Sequence, residues 1–191
     1  MTPTGVLVLT DRTQREGPLG TCRSTAVDAG ARSVVVREKD LPTRERRRLA
    51  REVRALLAPV DGTVIVAGTG GVRVHLTAAD AFPEPRPELV GRSCHSADEP
   101  ENARREGCDY AEISPLHPTE SKPGYGPALG FEALATLTLV GPPTYALGGV
   151  RPDDAAACLA AGAAGIAVMG AVMREPRLVA AYLESLAQVA R

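Results

Sequence analysis

Tryptophan is absent from this 191-residue chain, and only two phenylalanines and four tyrosines supply aromatic rings. A core must therefore come from alanine, valine, leucine and glycine, whose small side chains suit close helix-on-sheet packing and short turns. An excess of either charge is missing too. Lys and Arg number 22 against 23 Asp and Glu, a net charge of -1, so no field that would gather a nucleic acid is expected. No apolar run approaches the length of a membrane span, and residues 1–5 do not resemble a signal peptide, so a cytoplasmic protein that engages no membrane is expected. Cys22, Cys94, Cys108 and Cys158 match no zinc or Cys-x-x-Cys spacing, which leaves reduced structural thiols as their reading.

What is present is an alternation of apolar strand-like runs with polar runs of helical period. Strands are expected at residues 6–10, 33–37, 63–67, 72–76, 89–93, 110–115, 144–147 and 165–169. Their Val/Ile/Leu-rich composition signals burial on both faces, the mark of a parallel sheet. Helices are expected at residues 19–29, 44–57, 101–106, 130–137, 153–161 and 177–189. Leu49, Val53, Leu56 and Leu57 form the apolar stripe of the second, and its arginines read as a solvated face. Eight strands interleaved with helices predict a small (β/α)8 barrel of the TIM type in one domain, residues 1–191, although the chain is short for that fold. Only Gly68, Thr69, Gly70 and Gly71 separate Ala67 from Val72, too few for a crossover helix. Either the helix after the third strand is missing or reduced, or one of the two strands is misassigned.

Catalytic groups of such barrels sit at the C-terminal ends of the strands. His95 lies just past the end of the fifth expected strand, and a Pro/Gly-rich loop after the sixth carries Ser121 and Lys122. Gly148 and Gly149 follow the seventh strand and Gly170 the eighth. Loops at those two places commonly cradle a phosphate with backbone N–H groups, and glycine lets the backbone approach closely.

Five motifs carry a family resemblance: YALGGV at 145–150, AGAAGIAVMGAV at 161–172, HPTESKPG at 117–124, VVVREK at 34–39 and GRSCHS at 91–96. In their order and spacing the chain resembles the thiamine phosphate synthase and TenI superfamily. The synthase branch joins a pyrimidine pyrophosphate to a thiazole phosphate and needs Mg²⁺ held by carboxylates. Here Val35 replaces a glutamine of that branch's second strand, and Ala67 and Gly68 stand where its third strand ends in Asn-Asp. Thr77, Ala78, Ala79 and Asp80 replace Gly-Gln-Glu-Asp, leaving Asp80 as the one candidate ligand, open between that role and a cap.

The GRSCHS and SKPGYGP motifs are closer to TenI-type thiazole tautomerases, which need no metal. The resemblance implies an isomerase that aromatises a carboxylated thiazole phosphate, with His95 taking and returning a proton. It implies substrate contacts from Arg37, Lys39, Ser93, Thr119, Ser121 and Lys122, and phosphate contacts from Gly148, Gly149, Met169 and Gly170. No metal or cofactor is expected, the partner is a phosphorylated thiazole, and a homodimer is possible. Arg37 and Lys39 could alternatively pair with Glu38 or Asp40, and Ser93 with its own backbone. His75 and His117 read as structural. The alternatives left open are the synthase itself and a non-catalytic relative that binds a phosphorylated heterocycle.

Overall fold

The computed structural model describes residues 2–3, 5–15, 19–118 and 127–189. Its elements run β1 (Gly5–Leu9), α1 (Leu19–Asp28), β2 (Ser33–Val36), α2 (Thr43–Leu57), β3 (Thr63–Ala67), β4 (Arg73–Leu76), β5 (Leu89–Cys94) and α3 (Glu99–Arg105). They continue with β6 (Tyr110–Ile113), α4 (Gly130–Val140), β7 (Thr144–Ala146), α5 (Ala155–Ala160), β8 (Gly165–Val168), α6 (Gly170–Arg174) and α7 (Leu178–Val189). All neighbours pair in parallel and β8 returns to β1, so the eight strands close into a barrel. Every expected strand is present. The sixth stops at Ile113 rather than Pro115, since a proline has no N–H to give the ladder.

The helix after β3 is indeed missing. Residues 68–72 turn back directly, and Val66 and Ala67 pair in parallel with Val74 and His75. No helix follows β4 either. The segment between β4 and β5 covers that flank instead, with Phe82 packed against the outer apolar shell. The short helix α6 was not expected: five residues hold too little periodicity to read. Gly30, Gly107 and Gly162 end α1, α3 and α5 with φ of +107°, +84° and +85°.

Alternation along the strands divides the apolar residues in two. One set faces outward and packs against the helices, among them the buried stripe Leu49, Ala50, Val53 and Leu57 of α2. The other points into the barrel: Leu7, Leu9, Val35, Ile65, Leu89, Tyr110, Tyr145 and Ala167. The rings of Tyr110 and Tyr145 meet edge to face, 5.5 Å apart at 82°. Each crosses a glycine on the neighbouring strand, because Gly91 is registered with Tyr110 and Gly165 with Tyr145. A Cβ on Gly91 would lie 2.0 Å from Tyr110 Cζ, and one on Gly165 would lie 2.2 Å from the Gly5 carbonyl oxygen.

Gly91→Ala should therefore destabilise by about 3 kcal/mol or more, the upper end for overpacking, because neither strand can withdraw. Denaturant unfolding checks it, and Gly91→Ala combined with Tyr110→Leu should cost less than the sum of the two single changes.

All four cysteines are free and buried. Burial pushes the Cys94 and Cys158 thiols up to about 12 and raises that of Cys108 as well. An unfolded thiol ionises near ~8.5, so above that pH the unfolded chain sheds protons that the folded one retains. Stability should be fully present below about pH 8.5 and fall as pH rises toward 12. Urea midpoints at pH 7.5 and 10 would show the loss, and Cys94→Ala with Cys158→Ala should flatten it.

Candidate active site

A cavity of about 380 Å³ opens among the C-terminal strand ends and the loops that follow them. It has three levels. At the floor stand His75 of β4, Ser93 of β5 and Glu112 of β6. His95 and Ser114 lie one strand repeat higher, and Gly148, Gly149, Gly170 and Arg174 rim one side.

His95 follows β5 directly, and its own backbone N–H donates to the Glu99 carboxylate at the start of α3. Its imidazole Nδ1 lies 3.2 Å from the Ser114 carbonyl and 3.0 Å from the Ser114 hydroxyl. A carbonyl only accepts, so that contact requires the Nδ1–H tautomer and leaves Nε2 as the basic nitrogen.

The structure assigns the other candidates as follows. Ser93 bonds His75 Nε2 at 2.9 Å rather than its own backbone, and Tyr110 Oη lies 3.0 Å from His75 Nδ1. Arg37 and Lys39 both line the cavity. Arg37 pairs with Asp11 at 3.1 Å, not with Glu38 or Asp40. Those two carboxylates serve Arg12, the first through its backbone N–H and the second through its side chain. His117 does not line the cavity; it pairs with Asp154 at 3.2 Å and meets Phe131 edge to face. Thr119, Ser121 and Lys122 lie outside the described residues.

Asp80 is a cap, accepting from the Thr77 N–H at 2.7 Å. The turn it closes is held by buried Arg92, whose Nη1 donates to the carbonyls of Thr77, Ala78 and Asp80 and whose Nη2 meets Glu106 at 2.7 Å. Ala67 ends β3 on the cavity wall. Among the described residues no group of three or more His, Cys, Asp or Glu could hold a metal ion. With alanine at the end of β3 and Asp80 engaged by Thr77, these strand ends do not fit the carboxylate-bound Mg²⁺ that the synthase resemblance implies.

Gly148 and Gly149 adopt φ of +90° and +69°, and their N–H groups donate to no acceptor among the described residues. Met169 precedes α6, and Gly170 opens it beside the Arg174 guanidinium, whose Nη1 would lie 3.2 Å from a Cβ on Gly170. Arg174, one turn along α6, is the cation that sequence reasoning missed. A bulky residue at Gly149 would not spare the fold: its Cβ would lie 2.8 Å from the Pro118 carbonyl oxygen. The cradle is better tested at Arg174. Arg174→Gln should weaken inorganic phosphate binding roughly tenfold to a hundredfold, the worth of a charge-assisted hydrogen bond, with the melting temperature unchanged. Calorimetric titration with phosphate checks it.

Residues 6–172 match the family model described as thiamine monophosphate synthase. The chain belongs to the thiamine monophosphate synthase family. A putative thiamine-phosphate synthase of Geobacter sulfurreducens is 35% identical over 186 residues, covering 88% of this chain and 86% of that protein. The thiamine-phosphate synthase of Moorella thermoacetica is 33% identical over 162 residues, 78% of this chain and 77% of its own length. Among solved structures, the thiamine phosphate pyrophosphorylase from Pyrococcus furiosus superposes with a TM-score of 0.81 at 26% identity, covering 98% of this chain and 97% of that one. No helix among the described residues is long and apolar enough to cross a membrane.

Proposed function

We propose that this member of the family acts in thiamine biosynthesis as an isomerase that moves a proton on a carboxylated thiazole phosphate. The observation that carries the reading is His95, whose Nδ1 is anchored on Ser114 so that Nε2 is the proton-handling atom at the cavity wall. Two further features support it. Gly148, Gly149, Gly170 and Arg174 offer N–H groups and a cation to a phosphate, and Arg37 and Lys39 offer charge to a substrate carboxylate. In the reaction Nε2 takes the proton from the ring carbon between nitrogen and sulfur. The electron pair moves through the ring, and the same proton returns to the exocyclic carbon. Nothing is gained or lost by the substrate, and the ring becomes aromatic. Ser114 keeps the imidazole in place through both transfers.

A second reading is the condensation of a pyrimidine pyrophosphate with a thiazole phosphate. It is favoured by the names of the relatives, which are thiamine-phosphate synthases. Ala67 at the end of β3 and the engagement of Asp80 with Thr77 weigh against it.

The two readings part in one experiment. Proton-to-deuterium exchange in D₂O should proceed at the shifted carbon with EDTA present, and His95→Ala should slow turnover ~10²- to 10⁴-fold with ligand affinity kept. Unchanged exchange in His95→Ala would remove His95 from the mechanism. Thiamine phosphate formed from both precursors only when Mg²⁺ is supplied would establish the condensation instead.

A further inference from the structure

Glu112 is the one acidic residue of β6, and only 1% of it is exposed. Alternation along the strand turns it inward with Tyr110, so it lines the cavity rather than the outer shell. Its Oε2 lies 3.2 Å from His75 Nε2, yet neither carboxylate oxygen has a hydrogen-bond partner among the described residues. A carboxylate taken out of water without partners is costly, so its presence at the cavity floor calls for a donor that arrives from elsewhere.

The surrounding groups say what kind of donor. A carboxylate oxygen of Glu112 faces His75 Nε2 and can only accept, so the imidazole proton belongs on Nε2 and Nδ1 accepts from the Tyr110 phenol, which burial keeps protonated. From Nε2 that proton is donated to the Ser93 hydroxyl at 2.9 Å, and it only faces Glu112. The single N–H is taken by Ser93, and both carboxylate oxygens of Glu112, Oε1 above all, are left over. Glu112 is registered with Tyr145, three residues before Gly148, so about 10 Å of strand separates this floor from the phosphate cradle.

We propose that Glu112, positioned by His75 and Ser93, forms a subsite for an N–H donor of the ligand, a ring N–H or a protonated ring nitrogen, at the end remote from its phosphate. The inference rests on the cavity being the substrate site and holds for either reaction considered above. It adds a discriminating element to the site. A heterocycle that brings an N–H to the floor satisfies Oε1, whereas an isosteric ring without one leaves the carboxylate unpaired.

Imidazole and thiazole make the test, since they are close in shape and only the first carries an N–H. Both are titrated at pH 8 into the full chain saturated with inorganic phosphate, using ligand-observed NMR. Imidazole should bind roughly tenfold to a hundredfold more tightly, the range for a hydrogen bond to a charged acceptor. Glu112→Leu should erase the preference and leave the affinity for inorganic phosphate unchanged. Equal binding of the two rings, binding by neither, or a preference that survives Glu112→Leu would each overturn the proposal. Failure of phosphate itself to bind the wild type would instead count against the cavity as a phosphorylated-ligand site. The wild-type comparison needs no variant, so it stands even if Glu112→Leu does not fold.

Discussion

Two tyrosine rings occupy the lower interior of the barrel, and everything above them is built on that filling. Tyr110 and Tyr145 are almost fully buried and meet edge to face, each lying over a glycine of the adjacent strand. In a chain with so few aromatics, these two do what layers of branched side chains do in larger barrels. The Tyr110 hydroxyl lies beneath the cavity floor and supports it by meeting His75 Nδ1 at 3.0 Å. Packing at the bottom and chemistry at the top are thus joined through one phenol.

Above the plug the electrostatics are graded. A carboxylate and an imidazole share the floor, a second imidazole lies above them, and cations with glycine N–H groups edge the mouth. A ligand with an anionic end and a donor end would meet its complements in that order. The positive charge at the mouth is disciplined: Arg37 is tied to Asp11, and Arg92 is committed to the turn after β4 rather than to ligand. At the end of β3 this chain has an alanine, and after β4 a capping aspartate, so neither strand end offers a carboxylate that is not already engaged. Relatives whose strand ends differ can share one barrel, because the fold fixes where chemistry occurs and the strand ends decide which.

The barrel was legible in the sequence because continuous Val/Ile/Leu runs mark parallel strands, and the four-residue, glycine-rich gap after Ala67 left either a lost helix or a misassigned strand, of which the structure has the first. His95 was legible because ionisable groups just past strand ends are conspicuous. Other features depend on distance in space rather than along the chain. Arg37 finds Asp11, 26 residues away, through the pairing of β1 with β2. Arg174 was hidden in a helix too short for a periodic signal. Glu112 did leave a trace: a charge inside the run Tyr110–Ile113, at inward parity with Tyr110. Its meaning emerges only when His75 and Ser93 arrive from two other strands.

The closing seam of the barrel joins β1 to β8, with Gly5 to Val8 registered against Gly165 to Val168. On a ribosome β1 appears first and its partner more than 150 residues later. Until then the nascent chain is an open sheet with two unsatisfied edges, and the loops that line the cavity have nothing to converge on. Ligand binding is therefore a property of the finished ring alone, and the growing polypeptide passes through most of its synthesis as a structure that neighbouring chains could pair with.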